Sequence, residues 1–174
     1  LDEATEAKIK NSDTRKRIKA AAKVEALSLE EARAMIIRIN GSFVQTPNTG
    51  DEEADLAECQ NMLWAFVDDS EEAGLDAVLK EEKNITVDEK TTILIGSLLN
   101  SGLLSFDATE GKISKKDKDN KWIVVRDMSD EYTPEERKRL FSDFLNTEDG
   151  KALKNDLEKD LKAFEKKAKK EVTE

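Results

Sequence analysis

The 174-residue chain has no histidine, one cysteine, two prolines and seven glycines, and only 5% of it is aromatic. Without histidine it lacks the commonest general base and the commonest nitrogen ligand for zinc or haem, so Ser-His hydrolysis and most metal chemistries have no residues to run on. A lone Cys59 cannot form an intrachain disulfide framework. So little proline and glycine excludes collagen-like, proline-rich and flexible-linker classes. Apolar runs such as Ile93-Leu94-Ile95 are far too short for a membrane span, which needs about 20 residues. No phosphate-cradling glycine loop, nucleophile elbow or dinucleotide fingerprint occurs; Gly96, Gly102 and Gly111 are spaced as packing, cap and turn glycines. Leu1-Asp2-Glu3-Ala4-Thr5-Glu6 has none of the marks of a signal peptide, and a start at Leu1 indicates a processed, trimmed or partial terminus. The expected location is the cytoplasm or the interior of a macromolecular assembly.

What is abundant is charge. Charged residues make up 39% of the chain and the net charge is −10, but the excess is concentrated: residues 51–89 hold fourteen acids against Lys80 and Lys83. Residues 8–23 run the other way, with Lys8, Lys10, Arg15, Lys16, Arg17, Lys19 and Lys23 against Asp13 alone. Further basic clusters lie at Lys112, Lys115, Lys116, Lys118 and Lys121 and at Lys166, Lys167, Lys169 and Lys170. Such blocks steer a partner of opposite sign within a Debye length of roughly 8 Å. The plain alternative for each is a solvated helix face.

Periodicity supplies the elements. Residues 3–26 favour helix by propensity, yet offer only Ile9, Ile18, Val24 and, just beyond, Leu27 as large apolar anchors, so this helix is expected to be partly exposed. Ser28 with Glu31 forms a capping box ahead of a helix carrying Met35, Ile36 and Ile39, which ends at Asn40-Gly41. After a loop over 42–50, Asp51 caps a helix with Leu56, Cys59, Leu63, Phe66 and Val67 inward and Asp55, Glu58 and Gln60 between them. A separate short helix is expected from Ser70-Glu71-Glu72 through Leu79. Thr86 with Glu89 opens a third helix, whose Ile93, Leu94, Ile95, Leu98 and Leu99 cover too wide an arc for a surface element. Leu103–Phe106 and Trp122–Val125 then read as an antiparallel hairpin with a lysine-rich connection, Ile113 adding a third short strand at most. Thr133-Pro134-Glu135-Glu136 starts a helix with Leu140, Phe141, Phe144 and Leu145 on its apolar face. The last helix carries a narrow stripe, Leu153, Leu157, Leu161, Phe164 and Ala168, expected either to fold back on Leu140, Phe141 and Phe144 or to dock on another chain.

Three constellations were weighed for chemistry. Asp117 and Asp119 sit at the first and third positions of a calcium loop, but Trp122 replaces the turn glycine and Met128 the bidentate acid. Asp68-Asp69 is one carboxylate pair among many. Cys59 lies on an apolar stripe, where a thiol acts as a small hydrophobe.

The order from Glu52 to Asp127, helix, short helix, buried helix ending in Asn100-Ser101-Gly102, strand, basic connection, strand, resembles the winged helix-turn-helix family. That resemblance implies duplex binding through the third helix and wing, or protein binding on the same scaffold. The third helix presents Lys90, Thr91, Thr92, Ser97 and Asn100 with no arginine, beside the acidic block, which weakens any hold on phosphates. The reading is therefore a mainly α, multi-helix protein with one small antiparallel β-hairpin and helical extensions, divided at residues 1–50, 51–128 and 129–174. Its expected function is a non-enzymatic assembly or adaptor module, cellular or viral, with no cofactor, no metal and no membrane partner. The expected partner is a protein, held by Leu153, Leu157, Leu161 and Phe164 and presenting a basic surface to residues 51–89. The alternatives are a winged-helix nucleic-acid binder using Lys112, Lys115, Lys116, Lys118 and Lys121, and an enzyme of unrecognised type.

Overall fold

The computed structural model describes residues 2–107, 109–129 and 133–173, without the side chains of residues 9, 70–72, 134, 135 and 171–173. The chain is 67% helical. Its elements are α1 (Glu3–Ala26), α2 (Leu29–Asn40), α3 (Glu52–Leu79), a 3-10 turn (Glu82–Asn84), α4 (Val87–Asn100), β1 (Leu104–Asp107), β2 (Lys112–Lys116), β3 (Trp122–Asp127), α5 (Pro134–Leu145) and α6 (Lys151–Thr173). A mainly α protein with a small antiparallel sheet is thus what the sequence forms. Helix starts follow the expected chemistry. The Ser28, Thr86 and Thr133 hydroxyls accept from the amides of Glu31, Glu89 and Glu136, and each glutamate accepts from the amide of its cap in return. Asp2 and Asp51 cap α1 and α3 with single bonds of 2.7 and 3.1 Å.

The chain forms two compact units, Leu1–Ile39 with Gln45–Ile85, and Asn40–Val44 with Thr86–Glu174. These bounds differ from the division at residues 50 and 128 read from composition. In the first unit, α3 is one 28-residue helix, so the separate short helix expected from Ser70 is not formed. Ser70-Glu71-Glu72 looks like a start, but nothing in 52–79 breaks helix: no proline occurs there, and Gly74 alone costs only about 1 kcal/mol. Cys59, Leu63, Val67, Leu75 and Val78 form its buried stripe. Among the described side chains of α1, Ala20 and Val24 are the buried apolar ones, and Ile18 is 64% exposed.

Asp55, placed by spacing between the apolar positions, is buried instead. Its carboxylate accepts the amide and hydroxyl of Thr49 at 3.0 and 2.7 Å and lies 3.5 Å from the Arg33 guanidinium. Arg33 also donates to the Pro47 carbonyl, so the 45–50 loop is pinned by side chains from α2 and α3. The bonds from Thr49 hold the Asp55 carboxyl below the ordinary carboxylate range.

The second unit wraps α4, the sheet, α5 and α6 around one core: Leu94, Ile95, Leu98, Leu104, Ile113, Met128, Phe141, Leu145 and Leu157. The sheet order is β1-β2-β3, all antiparallel. The lysine-rich segment expected to be a connection is therefore the central strand, and the two strands expected to pair with each other both pair with it. The reason is the period of two. Within Lys112-Ile113-Ser114-Lys115-Lys116 only Ile113 must point into the core, so a polar-looking segment fulfils an inner strand's requirement.

Two glycines set this geometry. Gly111 has φ +75° and a Cβ there would lie 2.9 Å from the Met128 and Ser129 backbone, so only glycine lets the β1–β2 turn pass under the end of β3. A Cβ on Gly150 would collide with the Phe144 carbonyl, which brings the α5–α6 corner close. At that corner Asn146 accepts from the Thr91 hydroxyl at 2.7 Å and from Lys154 Nζ at 2.8 Å, and donates to Asp88 at 3.1 Å. Thr91, expected on the exposed face of α4, is accordingly fully buried.

Candidate functional site

The opposite-sign blocks of the first unit meet each other. Lys16 Nζ lies 3.2 Å from Asp76, Arg17 lies 3.9 Å from Asp68, and Lys23 Nζ donates to the Lys80 carbonyl at 3.0 Å. Burial is the main cause that lowers the pKa of Lys23, with the Arg38 charge adding to it. Exposed pairs of this kind are worth about 0.2–1 kcal/mol each, yet they give the acid of α3 a basic neighbour inside its own unit. A partner facing residues 51–89 meets a surface already part-matched by α1.

The α6 stripe is largely used within its own unit. Leu157 is fully buried in the core, Leu153 and Leu161 are half-buried against it, and Phe164 alone stands 41% exposed. Of the two outcomes expected for this helix, folding back accounts for three of the four residues, and they pack on a core that α4 and the sheet share with α5.

The five lysines of the basic cluster do not form one surface. Lys115 points to the core side of the sheet and pairs with Asp160 of α6 at 3.1 Å. Lys112 and Lys116 stand on the opposite face, where Lys116 Nζ lies 5.2 Å from the centre of the Trp122 ring. Lys118 and Lys121 belong to the β2–β3 turn, which is closed by the Asp117 carboxylate accepting the amides of Asp119 and Lys121 at 2.9 Å each. The acids that suggested a calcium loop are turn-formers here. Among the described residues no group of three or more His, Cys, Asp or Glu is placed to hold a metal ion.

Trp122–Val125 was expected as a strand and lies in β3, but the sequence reading missed how exposed that strand is. Trp122, Ile123 and Val124 are 49, 41 and 56% exposed, the longest run of exposed large apolar side chains among the described residues. Ile18, Phe43, Val87 and Phe164, the others, stand singly. β3 is an edge strand, so beside these side chains runs a row of backbone groups without ladder partners. Paired residues share a face: Trp122 opposite Lys116 and Val124 opposite Ser114 lie on the outer face, and Ile123 opposite Lys115 on the inner. Between Ile113 and Ser114 the register slips, leaving Val125 as the extra residue of a bulge. Beyond it Arg126 turns inward, its guanidinium 3.8 Å from the centre of the Phe144 ring. A signal was present in the sequence: Trp122-Ile123-Val124-Val125 is apolar at four successive positions, which period two assigns to both faces at once.

Two other places were candidates for chemistry. An open cleft of about 340 Å³ in the second unit is lined by Ser42, Asp88, Lys138, Arg139, Ser142 and Asp143 among others, its charges of both signs. Lys138 stands 4.8 Å from the Phe43 ring centre and Asp88 is engaged by Asn146. Cys59 is buried, and burial raises its pKa, which keeps the thiol protonated and unreactive. No known protein family, curated protein or solved structure matches this chain.

Proposed function

We propose that the chain is a non-enzymatic protein-binding module of a larger assembly, and that it docks through the edge and outer face of β3. One observation carries the reading: three successive large apolar side chains are exposed on a strand whose outer backbone groups have no ladder partner. Adding a strand to such an edge satisfies the backbone groups and buries alternate side chains in one step. The apolar contact supplies affinity, and the side-chain pattern supplies register.

The same surface is poorly suited to nucleic acid. Residues 104–127 carry six basic and five acidic side chains, and one of the six, Lys115, is spent on Asp160. Binding phosphates takes several uncompensated cations, and the acids interleaved here offset them.

The test is retention of a specific partner from the native source by wild type and by the Trp122→Ala/Val124→Glu variant. With circular dichroism and melting unchanged, the variant should lose that partner. Equal retention, or recovery of nucleic acid alone by the wild type, would reject the β3 docking site.

A further inference from the structure

We propose that Asn40-Gly41, where α2 hands the chain to the 41–44 segment, is a site of spontaneous deamidation that converts Asn40 to a mixture of aspartate and isoaspartate. The site is independent of any docking at β3.

This reaction makes two demands on a chain. The asparagine side chain must be free to turn toward the main chain, and the next backbone nitrogen must be open to meet it. Asn40 closes α2 with an exposed side chain that makes no hydrogen bond among the described residues. Gly41 has φ +100°, and a Cβ built there would meet nothing within 4 Å, so neither a side chain of its own nor a neighbour on that side crowds the approach.

Each of the other eight asparagines is followed by a residue with a side chain. Two of them are also tied down: Asn100 Nδ2 donates to the Val44 and Gly96 carbonyls at 3.0 and 2.8 Å, and Asn146 Nδ2 to Asp88 at 3.1 Å. Elsewhere the attacking nitrogen is engaged. The Thr49 amide, after Asn48, donates to Asp55 at 3.0 Å, and the Lys121 amide, after Asn120, to Asp117 at 2.9 Å. Asp149-Gly150 is the informative contrast, since aspartate before glycine closes the same ring by losing water. There the Gly150 amide donates to the Thr147 carbonyl and hydroxyl at 3.2 Å each, and the corner is packed so closely that a Cβ would collide with the Phe144 carbonyl. Closely related chemistry is held shut at one corner and left open at the other.

Water is the only co-reactant. The Gly41 nitrogen, its proton passing to solvent, attacks Asn40 Cγ; the N–Cγ bond forms, the Cγ–Nδ2 bond breaks, and Nδ2 takes up a proton and leaves as ammonia. The product is a five-membered succinimide, which water then opens. Cleavage of N–Cγ gives aspartate on an unaltered main chain. Cleavage between that nitrogen and the Asn40 carbonyl carbon gives isoaspartate, whose main chain runs through Cβ and is one carbon longer. Either product sets a carboxylate at the negative, C-terminal end of α2, where an anion is disfavoured. The extra carbon must be absorbed within residues 40–42, because Phe43 is held against Phe106 with ring centroids 5.3 Å apart and the Val44 carbonyl by Asn100.

The test is warm incubation of the folded full chain at neutral pH, followed by peptide mapping with mass spectrometry. The Asn40 peptide should gain one mass unit, NH2 becoming OH, and split into two chromatographic peaks, one of them a substrate for isoaspartate-specific methylation. It should convert about tenfold or more faster than the exposed Asn84 and Asn120. The Asp149 peptide should stay a single peak in the folded chain and split only in denaturant. Asn40→Gln, which would have to close a six-membered ring, should abolish the mass gain at this position, and on ageing it should keep the melting temperature that wild type loses. An Asn40 peptide left intact in the folded chain over a time in which the denatured chain converts it would overturn the site. So would conversion of Asn84 or Asn120 at the same rate, or an equal loss of melting temperature in aged wild type and aged Asn40→Gln.

Discussion

β1 and β3 are the two edges of one small sheet, pair with the same central strand, and differ in where their apolar side chains go. β1 alternates: Leu104 is 3% exposed and Phe106 packs between Phe43 and Phe141, with ring centroids 5.3 and 6.4 Å away, while Ser105 and Asp107 face solvent. β3 does not alternate, and Trp122, Ile123 and Val124 are all exposed. An edge strand that serves only its own core needs one apolar face, and β1 shows what that looks like in this fold. Trp122, Ile123 and Val124 join no core cluster among the described residues, although Trp122 meets the Lys116 ammonium. The difference separates residues that stabilise the second unit from residues available to a partner.

Truncating a side chain should therefore cost much more on β1 than on β3. Leu104→Ala should destabilise the chain by about 2–5 kcal/mol in denaturant titration, through lost burial and the cavity left in the core of the second unit. Gly111→Ala, in the turn that hands β1 to β2, should cost about 1–3 kcal/mol, because it combines a positive φ with a backbone collision. Val124→Ala, at a side chain 56% exposed, should change stability by no more than about 0.5 kcal/mol. A large cost at Val124 would make β3 a core strand like β1 and remove its exposed face from the argument.

The smallest effect is electrostatic. The bonds from Ser129 hold the Asp127 carboxyl below its ordinary value, so this group adds stability that is present above the ordinary carboxylate pKa and lost as pH falls through the lowered folded one. The stability gap between wild type and Asp127→Asn should accordingly be steady at neutral pH and close below about pH 4. A gap that widened on acidification would contradict the assignment.

Much of this fold was legible because its signals are local. Three reciprocal Ser or Thr with Glu caps and the apolar stripes of α2, α4 and α5 announce themselves within one or two turns of helix. The unbroken α3 was not legible, since Ser70-Glu71-Glu72 satisfies the local rule for a helix start as well as it satisfies a helix interior. Nor was the place of β2: its three lysines mask the single inward Ile113 that makes it a strand. Asp55 reads as a surface acid until Thr49 and Arg33, from a loop and another helix, are brought to it. For the candidate site, the lysines read as one cluster because they are close in sequence, but strand alternation sends Lys115 to Asp160 and Lys116 to Trp122. The α6 stripe was read as a surface for a partner, but Leu157 is buried in the core of its own unit and Leu153 and Leu161 pack against that core, leaving Phe164 exposed. The exposure of Trp122 and Val124 depends on β3 being an edge, which only the sheet order decides.

Residue-resolved amide exchange in β3 separates an open edge from a covered one. The Trp122 and Val124 amides, which face the open edge, should exchange quickly, while the Ile123 amide, bonded to β2, should stay protected. If Trp122 and Val124 were protected as well as Ile123, the β3 edge would already be covered within the chain.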